Sequence, residues 1–423
     1  EAKIKNKHYF PLVKIKSLNV RGKKIIPKIN LINNGDENIQ KEKSNKNIYL
    51  CDIKAYKKLI NMKMISIQGN EDKNNKDNYF ISSQLKDIKV FGIFDGHGKN
   101  GAILSREIKE YFQDYFNNLF NNDKNNYKYE ENIGNKNILQ KFNIKNRINS
   151  ARFRIQKINL NDLRVLKSSN LSLKLKEKSD KIKMIYNKLT SNSYSEIFSA
   201  YKKLDEKLHI KYSNSNICQL SGSTSLLLFL FNSKNCNKII TTNLGNSKIL
   251  LISQDNKVKE LNKVHTLYDF KEKSRIIKNG AIIESLSAGP LRIWFPNKKY
   301  PGLSITRSFG DFESDSLGVI SVPHIKEYDL DEEEIKILIF WTEGFWKFLN
   351  NERVMNIVLP YYDNNDIEGA IQKLKETVLY IYKMKIRKYI DNIIVFILFF
   401  KWYCLIWFLL LNLFMNIYRV YMI

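Results

Sequence analysis

Val90 to Gly98 reads VFGIFDGHG: five apolar residues that form a strand, then an acid, then two glycines flanking a histidine. The strand delivers Asp95 to a sheet edge. The glycines let the backbone fold tightly there, so a peptide carbonyl and a carboxylate face one point, as a hard divalent cation requires. The bland alternative is an ordinary strand-to-helix turn with Asp95 as an N-cap. Recurrence favours the first reading. KILIFWTEGFW (residues 336–346) ends a buried strand in Glu343 followed by Gly344, and YIDNIIVFILFF (389–400) inverts the order, with Asp391 ahead of a strand. Acids at three strand ends can converge. Oxygen donors without a cysteine or histidine cluster favour magnesium or manganese over zinc. Two such ions would activate a bridging water and neutralise phosphate oxygens during in-line attack.

Upstream of the turn, KMISIQG (63–69) and NYFISS (78–83) are short apolar runs between polar turns; downstream, ILSREIKEYFQDYFNNLF (103–120) carries apolar residues at helical spacing. Residues 1–60 are basic and mixed in pattern, and are taken as an N-terminal extension. Residues 121–193, rich in asparagine and lysine, show little regular hydrophobic period. They are expected to be a surface insertion, which closure entropy tolerates because it rises slowly with length. An amphipathic helix follows (EIFSAYKKLDEKLHIKY, 196–212), then SGSTSLLLFLF, KIITTNLGNSKILLIS, a helix with Glu272 and Arg275, LSITRSFGDF and KILIFW. Many strands interrupted by a few long helices predict an α+β domain over residues 61–400 rather than a parallel nucleotide-binding sheet.

Lysine and arginine number 70 against 43 acids, a net charge of +27 that would suit nucleic acid, an anionic membrane or a phosphorylated partner. Lysine, asparagine and isoleucine are abundant in every segment, as AT-rich coding bias gives. No arginine-rich or aromatic-interleaved motif accompanies them, so no nucleic-acid partner is expected. Cys51, Cys218, Cys236 and Cys404 form neither a CxxC pair nor a dense framework, which fits a reducing, cytoplasmic compartment. The chain starts at Glu1 rather than methionine, as a fragment would, and no secretory signal is readable in it.

Competing hydrolase signatures are missing. No cysteine precedes an arginine by six positions, and no GxSxG elbow, HExxH helix or GxxxxGK loop occurs. Hydrolysis by metal-activated water remains. FGIFDGHG, SGSTS, NLGNSK, LSITRSFGD, WTEGFW and DNIIVFIL stand in the order and approximate spacing of the protein phosphatase 2C motifs, and the chain resembles that family over roughly residues 61–400. NNKDNYFI resembles its upstream acidic motif, and LNKVHTLYDFKEKSRI its segment ending in an ExxRI helix.

The resemblance implies a sandwich of two antiparallel β-sheets flanked by α-helices, with two magnesium or manganese ions at one end. Asp95 would bridge them. The Gly96 carbonyl would complete one coordination shell, Glu343 and Asp391 would serve the other, and Asp77 is the retained upstream acid. His97 would be the general acid for the leaving seryl or threonyl oxygen; the plainer alternative is a hydrogen-bonded turn histidine. Lys73 sits where related sequences place a basic residue near the phosphate. The implied activity is hydrolysis of phosphoserine and phosphothreonine in phosphorylated protein substrates, by a monomer. Three departures point to the alternative of a weak or dead pseudophosphatase that binds phosphoproteins: Glu343 replaces aspartate, Asn246 replaces aspartate in NLGNSK, and Lys76 replaces an acid or amide.

The last apolar stretch, 393–415, has two readings. Either residues 393–400 are the final core strand, leaving in the tail 401–423 only the apolar stretch from Trp402 to about Met415, short for a span of roughly 20 residues, or 393–418 cross a bilayer and remove Asp391 from the fold. The β-branched residues of DNIIVFIL favour the strand; a tail that attaches the chain to a membrane stays open.

Overall fold

The apolar runs on both sides of the DGHG turn become strands that are covered on both faces, which explains why they alternate so little. A computed structural model describes residues 56–69, 75–85, 88–120, 160–233, 236–285, 289–330, 335–385 and 390–403. The chain divides into two units, Glu1–Asp52 and Ile53–Ile423, and every described residue belongs to the second.

Ten strands make two five-stranded antiparallel sheets: β1 (Tyr56–Ile67), β2 (Asn78–Leu85), β3 (Ile88–Phe94), β4 (Ser225–Ser233), β5 (Cys236–Leu244), β6 (Lys248–Ser253), β7 (Val258–Glu260), β8 (His324–Asp329), β9 (Ile335–Trp341) and β10 (Ile393–Tyr403). One sheet has the order β1-β10-β9-β6-β7 and the other β8-β5-β4-β3-β2. The helices are α1 (residues 101–120), α2 (Leu160–Tyr212), α3 (Phe270–Lys278), α4 (Glu343–Trp346), α5 (Asn351–Asp363) and α6 (Ile367–Lys385). This is the α+β sandwich of two antiparallel sheets that the motifs predict.

Three buried layers hold it together. Between the sheets, Phe91, Ile93, Leu226 and Leu228 meet Leu251, Leu338, Phe340 and Phe396, and the Phe340 and Phe396 rings stack 4.7 Å apart. The alternate residues of the same strands, Val90, Phe94, Leu227 and Phe229, turn outward to Phe112 and Phe116 of α1 and to Tyr201 and Leu204 of α2. On the opposite side Ile339, Trp341, Ile397 and Phe399 pack with Val358 of α5 and Leu374 and Val378 of α6. Period-two alternation therefore survives, with each strand face serving a different core.

One expectation changes and the favoured reading of the last apolar run holds. The irregular segment expected through residue 193 gives way to helix from Leu160 onward, and Ile182, Ile185 and Leu189 are buried in the core shared with α1. Their spacing is helical, but abundant lysine and asparagine between them hid it. Non-helical angles at Ser191 to Tyr194 break α2 into two segments. At the other end β10 runs to Tyr403 and pairs with both β1 and β9, so the segment after Asp391 is sheet rather than membrane span. No helix among the described residues is long and apolar enough to cross a membrane. Lys73, most of the basic extension and the chain beyond Tyr403 lie outside the described residues.

Candidate active site

β3 ends at Phe94, and the next three residues bring distant segments together. Gly96–His97, Gly222–Ser223 and Phe309–Gly310 form a three-stranded antiparallel ribbon with the Gly222 pair in the middle. DGHG, SGSTS and LSITRSFGD thus meet at one end of the sandwich. The His97 Nε2 lies 2.6 Å from Asp311 Oδ2, and the Ser308 hydroxyl donates to the same oxygen at 2.6 Å. Gly222 makes that contact possible, because a Cβ there would fall 2.4 Å from Asp311 Oδ2 and 2.8 Å from His97 Nε2. Burial alone would push the His97 pKa down; the charge and hydrogen bond of Asp311, with Asp95 behind, more than reverse this and hold it above its ordinary value.

Asp95 is fixed through its main chain. Its N–H donates to Thr224 Oγ1 at 3.1 Å, and its carbonyl accepts from the Thr224 N–H at 2.9 Å. Gly96 is pressed between backbones, where a Cβ would lie 2.4 Å from the Gly101 carbonyl oxygen and 2.6 Å from that of Lys76. The carboxylate is pushed up to about 7, by burial first and then by the charges of Asp391 and Glu343. Asp77, just before β2, is buried and accepts a hydrogen bond from the Thr342 hydroxyl at 2.9 Å. Its pKa is raised well above the carboxylate range by burial and then by Asp95. Buried Asp77 and half-buried Asp95 therefore crowd like charge that His97 and Lys347 offset only in part at Asp95, an arrangement that a divalent cation reverses.

The Glu343–Asp391 side differs. The Glu343 N–H reaches Asp95 Oδ2 at 3.4 Å, and Gly344 lets the TEG turn lie close to the chain at Asp391, since a Cβ there would fall 2.5 Å from the Asn392 carbonyl oxygen. The Lys347 Nζ donates to Asp391 Oδ2 at 2.9 Å and lies 3.5 Å from Glu343 Oε1, while Asn246 Nδ2 donates to Glu343 Oε2 at 2.6 Å. Burial would lower the Lys347 pKa, and the two carboxylates more than reverse it. Among the described residues no group of three or more His, Cys, Asp or Glu side chains is set to hold a metal ion as it stands, consistent with a lysine drawing two of the acids toward itself. The donor chemistry, carboxylate and carbonyl oxygen only, fits magnesium or manganese.

Asp77, Asp95, Gly96, Glu343 and Asp391 are thus brought to one end of the sandwich, with His97 beside them. Asp311, Thr342 and Lys347 were not singled out by sequence. LSITRSFGD and WTEGFW contain the first two without a mark of their roles, and Lys347 carries no motif signal at all. Glu272 belongs elsewhere: its carboxylate takes hydrogen bonds from Arg275, Arg307 and Thr306 at 2.6 to 3.0 Å, a structural knot tying α3 to the segment leading into Asp311.

The family model described as Protein phosphatase 2C matches residues 107–381. The chain belongs to the protein phosphatase 2C family. The matched span includes Asn246, Asp311, Glu343 and Lys347 and stops short of Asp77, Asp95, His97 and Asp391, which geometry alone unites with them. Probable protein phosphatase 2C 72 of Arabidopsis thaliana is 23% identical over 279 residues, 64% of this chain and 65% of that protein. Probable protein phosphatase 2C 61 of the same plant is 30% identical over 163 residues, 37% of this chain and 48% of that protein. The chain thus spans less than two thirds of the length of these curated relatives. The crystal structure of a serine-threonine phosphatase 2C from Toxoplasma gondii superposes with a TM-score of 0.51 at 16% identity, covering 83% of this chain and 96% of that one. This likeness is one of fold: the protein phosphatase 2C sandwich.

Proposed function

We propose that the chain is a metal-dependent protein serine/threonine phosphatase. Asp95 and the Gly96 carbonyl, with Asp77, Glu343 and Asp391, would hold magnesium or manganese, two ions in the full site. When bound, these ions supply charge neutralisation for the phosphate and activation of the attacking water. The single observation that carries the reading is the like-charged pair of buried Asp77 and half-buried Asp95 beside a histidine steadied by the buried carboxylate of Asp311. Asp311 holds His97 by Nε2 and favours its protonated form, so that the imidazolium can protonate the leaving seryl or threonyl oxygen from its other nitrogen. Lys73 is assigned to phosphate binding.

Full-length chain incubated with a phosphothreonine peptide is expected to release phosphate with Mn2+ or Mg2+ and not with chelator. Asp95→Ala is expected to lower kcat/KM by about a thousandfold or more, because the position serves both ions. Absence of release by the native chain with either metal contradicts the reading.

A second reading, a phosphoprotein-binding pseudophosphatase, is favoured by Lys347 and Asn246, which satisfy Glu343 without any metal. On that reading the native chain binds phosphopeptide without turnover, and Asn246→Asp with Glu343→Asp creates turnover. Ordinary turnover by the native chain eliminates it.

A further inference from the structure

Lys347 Nζ sits 2.9 Å from Asp391 Oδ2 and 3.5 Å from Glu343 Oε1, two of the acids assigned above to metal, and the inference rests on that assignment. Its side chain is only 34% exposed, and those of Glu343 and Asp391 are 20% and 22% exposed. Screening by solvent is therefore weaker than for a surface pair. Asn246, itself buried, puts an amide donor rather than a third carboxylate on the far oxygen of Glu343. This half of the site carries its own counter-charge. The other half is held by neutral donors and a histidine already paired elsewhere: Asp77 receives a hydroxyl from Thr342, Asp95 a weak backbone N–H, and His97 faces Asp311.

We propose that the Lys347 ammonium is a built-in cation at the Glu343–Asp391 side of the site, so that the chain takes up one divalent ion at Asp95 and Gly96 readily and a second only by displacing Lys347. A divalent ion entering between Glu343 and Asp391 must break a charge-assisted hydrogen bond and move a like charge aside, whereas an ion at Asp95 displaces no ammonium, the neighbouring His97 being already paired with Asp311. Lys347 and Asn246 thereby act together: an aspartate at 246 would add a charge that the single ammonium could not offset.

The test is calorimetric titration of the full chain with Mn2+, without substrate. The native chain is expected to bind one ion strongly and a second at least about tenfold more weakly, since displacing a paired like charge costs at least one decade of affinity. Lys347→Met, which keeps the apolar stem, is expected to tighten the second event by roughly tenfold or more and the first by clearly less. Lys347→Gln is expected to do the same and replaces the methionine variant if that one unfolds. Two native events of equal affinity overturn the proposal without any variant, as does a Lys347→Met or Lys347→Gln titration that overlays the native one. Asp95→Ala separates the two levels: Mn2+ uptake undiminished in that variant removes the metal assignment itself rather than the part given to Lys347.

Discussion

Asp311 reaches His97 with Oδ2 across the bare Cα of Gly222, so the pair depends on a residue with no side chain at all. A general acid contributes typically about 10²–10⁴-fold, and His97→Ala is expected to lower kcat by that amount. Asp311 acts through His97, which makes it a positioning residue. Asp311→Asn is expected to lower kcat with little change in KM, and the double variant to be no slower than His97→Ala alone. Steady-state kinetics on the three variants check this, and additive losses would place Asp311 in some other role. The acids were legible in sequence because each follows or precedes a strand with an adjoining glycine or amide. Their partners were not. His97 and Asp311 are 214 positions apart, and Thr342 and Asp77 are 265 apart, and nothing local to Asp311 or Thr342 records which distant side chain will face it.

At the scale of elements, α2 is where composition misled and packing decides. Ile182, Ile185 and Leu189 repeat at three- and four-residue spacing and are buried, so lysine-rich sequence between them covers a helix whose apolar stripe faces the core. Ile185→Ala is expected to cost about 2–5 kcal/mol by removing buried methyl and methylene groups, whereas exposed Lys183→Ala should change stability by less than about 0.5 kcal/mol. Denaturant unfolding of both variants distinguishes a core helix from a dispensable insertion. The strands of the sandwich were legible for the opposite reason: β-branched and aromatic runs of five to nine residues have few other ways to bury themselves. β10 illustrates this best, since the same apolar run that suggested a membrane span pairs along its length with β1, through one register shift at Leu59/Asn61, and with β9 over Phe399 to Val395.

The knot at Glu272 belongs to the same scale, because it joins α3 to the strand-like segment carrying Thr306 and Arg307. Burial would raise the Glu272 pKa, but hydrogen bonds from Arg307, Arg275 and Thr306 outweigh it and hold the carboxyl well below its usual range. A carboxyl depressed in the fold adds stability that is complete above its unfolded value near 4.5 and is lost as the pH falls below that. His265, pushed down to about 3 by burial and by Arg307, acts in the same direction: stability is lost as the pH falls from 6.5 toward 3. Asp77 and Asp95, whose pKa values are raised, act in the opposite direction between about pH 7 and 4.5, so thermal midpoints are expected to fall with acidification only below about pH 4.5. Glu272→Gln is expected to cost roughly 3–5 kcal/mol at pH 7, where two arginines lose their buried partner, and to show a shallower decline below pH 4.5. An equally steep decline in Glu272→Gln would assign the acid sensitivity elsewhere.

For the whole molecule, the protein phosphatase 2C sandwich does one thing for the chemistry: it brings strand ends from β3, β9 and β10 to the same edge, so that acids spread from Asp77 to Asp391 share one small volume. Charge is distributed unevenly within that volume, with the Lys347 ammonium and Asn246 against Glu343 and Asp391 on one side and Asp77 and Asp95 held by Thr342 and a backbone N–H on the other. A crystal structure of the full chain grown with Mn2+ and measured for anomalous scattering tests this account most directly. The account predicts an anomalous peak against the Asp95 carboxylate and the Gly96 carbonyl; crystals that diffract well with no manganese at Asp95 would contradict it.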